Sequence, residues 1–72
     1  MKGQCRTFRF EFKNDSMIIS SADPQIGVLK IYPLHGGFPE TEAEAMRMAE
    51  GRMDLDKDEL DDLEQGILER PR

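Results

Sequence analysis

Phenylalanine and charged residues alternate near the start of the chain, where residues 8–13 read FRFEFK. Successive side chains of a β-strand point to opposite faces of the sheet, so a period of two is typical of a strand with one buried face. The pattern therefore predicts a strand from Thr7 to Lys13. Its three Phe side chains are expected to face the core and its charged side chains to face away from it.

Two further strands are expected after this one. Turn-forming residues at 13–16 precede a short apolar segment, Met17–Ser20. Asp23 and Pro24 mark a second turn, and the segment from Ile26 to Tyr32 is rich in the apolar residues that strands favour. Pro33 ends this third strand because proline has no N–H group to donate to a neighbour. The expected sheet is three-stranded and antiparallel, within about residues 5–32.

A first helix is expected over about residues 42–53. Thr41 is a candidate N-cap, and Glu44 follows three positions later, a spacing at which both side chains can bond free N–H groups of the first turn. The residues that follow carry apolar side chains at three- and four-residue spacing, as on a helix with one buried face: Ala45, Met48, Ala49 and Met53. We expect this face to pack on the Phe face of the sheet.

A second helix is expected over about residues 57–68. Asp56 is a candidate N-cap with Glu59 at the third helical position, and the pair Leu55 and Leu60 has the spacing of a hydrophobic staple. The buried side of this helix is expected to contain Leu60, Leu63 and Ile67. The fold class is therefore α+β, a three-stranded antiparallel sheet followed by two short helices, in one small domain over residues 1–72.

The length and the cysteine content limit the function classes. Seventy-two residues enclose only one small core, which excludes barrel and doubly wound enzyme folds. A single cysteine, Cys5, cannot form an intramolecular disulfide, and neither a signal peptide nor an apolar run of about 18 residues is present. These features predict a cytoplasmic protein that does not enter a membrane.

Charge is distributed unevenly along the chain. Residues 1–39 carry five bases and three acids, whereas residues 40–69 carry twelve acids and three bases. The net charge of −5 disfavours direct binding of nucleic acid and favours a basic partner. The densest acidic run is the predicted partner-binding site, and it contains Asp54, Asp56, Asp58, Glu59, Asp61, Asp62 and Glu64. Asp54, Asp58, Asp61 and Asp62 are expected to form a row of carboxylates along one side of a helix. The alternative is an acidic helix face that only contacts solvent.

Metal binding and catalysis find little support in the sequence. Asp54, Asp56 and Asp58 match positions 1, 3 and 5 of a calcium loop, but Glu59 and Gln65 stand where that loop requires glycine and a carboxylate. One cysteine and one histidine are too few for a zinc site. His35 has no nearby motif that would pair it with Cys5 or a serine as a nucleophile. We therefore expect no metal, no cofactor and no enzymatic activity.

The length, the lone cysteine, the sheet-plus-helix layout and the acidic run from Asp54 to Glu64 together resemble a known group of proteins. These are the small acidic inhibitors that phages and mobile elements encode, notably anti-CRISPR and DNA-mimic antirestriction proteins. The resemblance implies a stoichiometric inhibitor that binds a basic nucleic-acid-binding protein, such as a CRISPR effector complex, in the host cell cytoplasm. The alternative is a small interaction module or a homodimer that pairs through an exposed sheet edge.

Overall fold

The computed structural model of the protein describes residues 1–5 and 7–71. Four strands are followed by two helices: β1 (Lys2–Cys5), β2 (Phe8–Lys13), β3 (Ser16–Ser21), β4 (Val28–Pro33), α1 (Glu42–Leu55) and α2 (Lys57–Glu64). The strands form one antiparallel sheet in the order β1-β2-β3-β4. The predicted α+β class, with an antiparallel sheet and two following helices, is confirmed. The predicted number of three strands is wrong, because β1 adds a fourth at the edge.

The core lies between the helices and the Phe face of the sheet. Phe8, Phe10 and Phe12 are all buried, as the alternation predicts, and the rings of Phe10 and Phe12 meet edge to face with centroids 6.0 Å apart. The largest side chains with almost no exposure come from both layers, and they are Ile19, Leu29, Met53 and Leu60. Burial of these apolar surfaces between the two layers is the main stabilising contribution to the fold.

Strand β1 was not predicted because its sequence, KGQC, has no alternating apolar residues. It pairs with β2 so that Gly3 lies opposite Phe10. A Cβ atom on Gly3 would come within 2.9 Å of Cζ of Phe10, so the missing side chain leaves room for the ring. Arg6, which falls within the predicted strand range, lies outside the described residues.

The turn between β2 and β3 lies at the predicted turn residues 13–16 and is a tight two-residue hairpin. Lys13 pairs with Ser16, and the two residues between them, Asn14 and Asp15, have positive φ angles of 53° and 62°. Positive φ at both central residues is the geometry of a type I′ turn, whose twist matches that of the flanking strands. Asparagine and aspartate tolerate this conformation better than most residues.

Both helices begin at the predicted residues, whereas α1 ends at Leu55, two residues beyond the predicted end, and α2 ends early. Helix α1 begins at Glu42, where the Thr41 side chain accepts a hydrogen bond from the Glu44 N–H at 3.1 Å. Helix α2 ends at Glu64, short of the predicted residue 68, and Gly66 follows with a φ of +81°. Ile67 is therefore outside the helix and 65% exposed, so its predicted place in the core is wrong. Leu60 and Leu63 are buried as predicted.

Candidate functional site

The seven acids of the predicted site lie at the end of α1, at the residue between the helices, and along α2. Asp54 and Asp58 are exposed, and the other five are half-buried; none is buried. The chain leaves helical geometry at Asp56, which has φ −106° and ψ 20°. Asp54 thus belongs to α1, and the predicted row of carboxylates is divided between two helices rather than carried by one.

Asp56 is the centre of a cluster that joins the helices to the sheet. Its carboxylate accepts a hydrogen bond from the Tyr32 hydroxyl at 2.8 Å and lies 3.8 Å from Nζ of Lys30 and 3.7 Å from a guanidinium nitrogen of Arg52. It makes no side-chain hydrogen bond to the N-terminal turn of α2, so the predicted capping box is wrong. The Asp56 carboxylate instead turns toward the two cations and the hydroxyl on the sheet side.

The predicted hydrophobic staple is also absent. Leu60 is fully buried, but Leu55 is 78% exposed, so the two side chains do not form a shared contact over the start of α2. The sequence located the boundary between the helices correctly for a different physical reason. The bonds of Asp56 to β4 and α1 hold the chain at this point.

Tyr32 and Glu59 complete the cluster. Glu59 contacts the ammonium group of Lys30, and both Lys30 Nζ and the Arg52 guanidinium lie over the Tyr32 ring, at 5.3 and 4.9 Å from its centroid. These cations on an aromatic face are in the range of cation–π attraction. We call Lys30, Tyr32, Arg52, Asp56 and Glu59 the Tyr32 cluster. Its two cations balance its two carboxylates.

The position of Tyr32 affects its ionisation. Burial raises the pKa of the Tyr32 hydroxyl above its ordinary value of 10.0, because burial disfavours the charged phenolate. The hydrogen bond to Asp56 and the negative charge of that carboxylate raise the pKa further, while the Arg52 charge lowers it. The hydroxyl therefore remains a proton donor to Asp56 throughout the neutral range.

Two more of the seven acids bind within the fold. Asp61 lies 2.6 Å from Nζ of Lys57, one helical turn away. Glu64 accepts a hydrogen bond at 2.7 Å from the hydroxyl of Ser21, the one buried polar side chain among the described residues. This bond connects the last turn of α2 to the end of β3. Asp56, Glu59, Asp61 and Glu64 therefore all have partners within the fold.

Asp54 and Asp58 are exposed, Asp62 is half-buried, and we call these three acids the acidic surface. Among residues 1–5 and 7–71, neither Asp58 nor Asp62 makes an ion pair. They are four positions apart on α2, which places them on the same side of the helix, separated by a rise of about 6 Å. Asp54 is exposed at the adjoining end of α1 and is separated from Asp58 by only four positions of the chain.

The residues considered for metal binding and catalysis do not converge. Within the described part of the chain, no group of three His, Cys, Asp or Glu side chains is arranged to hold a metal ion. Asp56 bonds to Tyr32 rather than facing Asp54 and Asp58. His35 is exposed in the loop after β4, and Cys5 is half-buried against the core at the end of β1.

Comparison with known proteins does not assign the chain to a family. No protein-family model, curated protein or solved structure matches it. Neither helix in residues 1–5 and 7–71 has the length and apolar character that crossing a membrane requires.

The Tyr32 cluster was missed from the sequence because of an irregularity in the sheet. The alternation of Leu29, Lys30 and Ile31 suggests that Lys30 points away from the core. The register between β3 and β4 shifts at Ile19 and Ser20, and this shift places Lys30 opposite the core-facing Ile19. Such bulges redirect side chains, and the alternation of apolar and polar residues along a strand does not reveal where they occur.

Proposed function

We propose that this chain is a stoichiometric inhibitor that binds the basic nucleic-acid-binding surface of a host defence nuclease or CRISPR effector complex. The observation that carries the proposal is the separation of charge between the two layers. All twelve acids of residues 40–69 are exposed or half-buried, and most of them are on the two helices that cover one face of the sheet. A surface of this sign attracts a basic groove.

In this proposal the seven predicted acids have two roles. In this proposal Asp54, Asp58 and Asp62 contact the partner's Lys and Arg side chains. Asp56, Glu59 and Glu64 hold the helices on the sheet through their bonds to β3 and β4, and so fix the position of the acidic surface. Asp61 pairs with Lys57 within α2. A rigid arrangement reduces the entropy lost on binding.

A basic groove that binds a phosphate backbone recognises it chiefly by charge. Carboxylates on a helix can occupy such a groove without reproducing the shape of each nucleotide. The chain and the nucleic acid would then compete for one site, so inhibition should be relieved by excess nucleic acid. It should also weaken as salt screens the interaction, because the contacts are exposed charges.

The test uses DNA cleavage by a panel of purified CRISPR effector complexes and restriction nucleases, each titrated with the chain. We expect inhibition that saturates at one chain per nucleic-acid site and that is lost in the triple variant D54K, D58K and D62K. These are surface changes, so each should alter the free energy of unfolding by about 0.5 kcal/mol or less.

A matched control carries the same change in net charge away from the acidic surface, in the triple variant E11K, E40K and E42K. Glu40 and Glu42 are exposed at the opposite end of α1 from Asp54, and Glu11 lies on the face of the sheet that the helices do not cover. The control should retain most of the inhibition. The proposal is wrong if no enzyme in the panel is inhibited, or if both triple variants inhibit as well as the original chain.

A homodimer that pairs through the edge of β4 is the second candidate. Val28 and Ile31 on this strand are 36% and 46% exposed, which favours an apolar contact. Sedimentation at low and high salt separates the two candidates. A β4-paired dimer should persist at high salt and resist the triple charge reversal, whereas the inhibitor itself is expected to sediment as a monomer.

A further inference from the structure

The face of the sheet opposite the helices has two different halves, and we call it the open sheet face. In the register of the strands, Ile18 lies directly opposite Ile31, and Ser20 lies opposite Val28. Ile18, Val28 and Ile31 form an apolar stripe on the outer side, and the register shift at Ile19 and Ser20 allows two residues, Leu29 and Lys30, to lie between Val28 and Ile31. Val28 and Ile31 keep more than a third of their surface exposed, although the helices bury the other face.

The other half of the open sheet face is basic. Lys2, Arg9 and Lys13 lie on the outer side of β1 and β2. Arg9, Glu11 and Lys13 alternate with the buried Phe side chains of β2, and Lys2 is paired with Glu11. All three are exposed, and Glu11 is the one acid among them. In the part of the chain that the structure describes, none of the three cations makes an ion pair. By contrast, Lys30, Arg52 and Lys57 on the helical side are all paired.

The two halves meet at a shallow depression. It has a volume of about 550 Å³ and is lined by Lys2, Arg9, Glu11, Ser20 and Val28, among others. A carboxylate entering this depression would meet two cations and a hydroxyl against the single carboxylate of Glu11, and an aliphatic side chain beside it would contact the apolar stripe. The helical side is strongly acidic, so it cannot offer the same environment.

We propose that the open sheet face binds an acidic segment of a partner protein that also carries aliphatic side chains. The charge of the basic half selects the acidic residues, and the apolar stripe selects the aliphatic ones. The aromatic rings of β2 and β4 face the core, and Phe38 packs on Phe12 at 6.2 Å. The open sheet face therefore has no aromatic platform on which unpaired bases would stack, and this favours a protein segment over single-stranded nucleic acid.

This inference is independent of the proposed inhibitor function, because it concerns the opposite layer. A chain with both surfaces would connect a basic partner on the helical side to an acidic one on the sheet side. Loss of either surface should leave binding at the other intact. Each proposal therefore has its own variants.

A library of random peptides is selected for binding to the protein. Peptides that also bind a charge-neutralised variant, which combines K2Q, R9Q and K13Q, are removed. Enriched peptides should combine Asp or Glu with Leu, Ile or Val. Binding of an enriched peptide, followed by fluorescence anisotropy, should weaken about tenfold in the charge-neutralised variant, as expected for the loss of several exposed ion pairs. An R47Q variant, which removes an exposed cation on α1, should bind the peptide normally.

A second variant replaces the apolar stripe by I18T, V28T and I31T. Threonine keeps the β-branched shape that strands favour, so the sheet should form, and circular dichroism verifies this. Peptide binding should again fall about tenfold. The matched control is I67T, an exposed isoleucine outside the sheet. If a triple variant does not fold, the single changes R9Q and I31T at exposed positions give the same comparison with a smaller effect.

Amide chemical-shift changes on addition of the peptide should be confined to β1–β4. Four results would overturn the inference. The first two are that no peptide is enriched relative to the charge-neutralised variant, and that the enriched peptides are basic or lack an acidic bias. The third is that the peptide changes amide chemical shifts on the helices. The fourth is that an oligothymidine strand binds the open sheet face more tightly than any peptide does. The acidic-surface variant D54K, D58K and D62K should bind the peptide as well as the original chain does.

Discussion

The role of Asp56 gives the sharpest quantitative prediction. Asp56→Ala removes a carboxylate that accepts a hydrogen bond from Tyr32 at 2.8 Å and lies within 4 Å of the charged groups of Lys30 and Arg52. A hydrogen bond to a charged group contributes about 1.5–3 kcal/mol. Each partly exposed ion pair adds about 0.2–1 kcal/mol. We therefore expect the free energy of unfolding to fall by about 2–5 kcal/mol, a large part of the stability of a chain this small.

Asp56→Asn separates this explanation from helix capping. Asparagine is as good an N-cap residue as aspartate. If Asp56 acted only as a cap, Asp56→Asn would hardly change the free energy of unfolding and Asp56→Ala would lower it by about 1 kcal/mol. In the Tyr32 cluster, asparagine can still accept the Tyr32 hydrogen bond but loses its charge beside Lys30 and Arg52. We expect Asp56→Asn to lower the free energy of unfolding by about 1–2 kcal/mol.

The measurement is urea denaturation followed by far-ultraviolet circular dichroism, with linear extrapolation to water. A double-mutant cycle with Tyr32→Phe isolates the hydrogen bond, because phenylalanine keeps the ring and removes only the hydroxyl. A coupling energy of about 1–2 kcal/mol between the two positions is expected. Asp62→Ala serves as the control and should change the free energy of unfolding by about 0.5 kcal/mol or less. Additive effects of Asp56→Ala and Tyr32→Phe, together with a silent Asp56→Asn, would refute the reasoning.

Three further predictions concern the core, a helix and the pKa of Tyr32. Phe10→Ala should lower the free energy of unfolding by about 3–5 kcal/mol in the same urea assay, and a stable, cooperative variant would contradict the core assignment. Gly51→Ala should raise it by about 0.5–1 kcal/mol, because Gly51 lies inside α1 and a Cβ there meets no atom within 4 Å. Tyr32 is the only tyrosine, so absorbance follows its ionisation directly, and its midpoint should lie above 10.0 in the folded protein and near that value in urea. Because the folded pKa is the higher one, this contribution to stability is complete below pH 10.0 and is lost above it, and Tyr32→Phe should remove that loss.

The elements that follow a strong local pattern were predictable, and those that depend on distant partners were not. The alternation in residues 8–13 fixes which face of β2 is buried, and Thr41 marks the start of α1 through a bond formed within the helix itself. Strand β1 has no such pattern and forms because β2 offers a free edge. The Tyr32 cluster depends on a bulge between β3 and β4, and the sequence does not reveal which residue a bulge redirects.

The candidate site was predictable in composition but not in the roles of its members. The acidic run and its contrast with the first half of the chain can be read from residue identities alone. Which acids remain available depends on cations that lie far away in sequence, such as Lys30 for Glu59, and on Ser21 for Glu64. The basic half of the open sheet face was also overlooked, since its cations come from separate strands and become neighbours only when the strands pair.

The order of the elements along the chain has a consequence for synthesis. Strand β2, which carries the three buried Phe side chains, is made early, and the helices that cover it are made last. Translation proceeds at about 5–20 residues per second, so the stretch from Pro33 to Glu64 takes roughly 2–6 s to appear. During that interval a nascent chain displays three uncovered aromatic rings with no helix to shield them. The charged residues between those rings are Arg9 and Glu11. At this stage they protect the nascent chain, because they interrupt an apolar segment that would otherwise aggregate with the same segment of other unfinished chains.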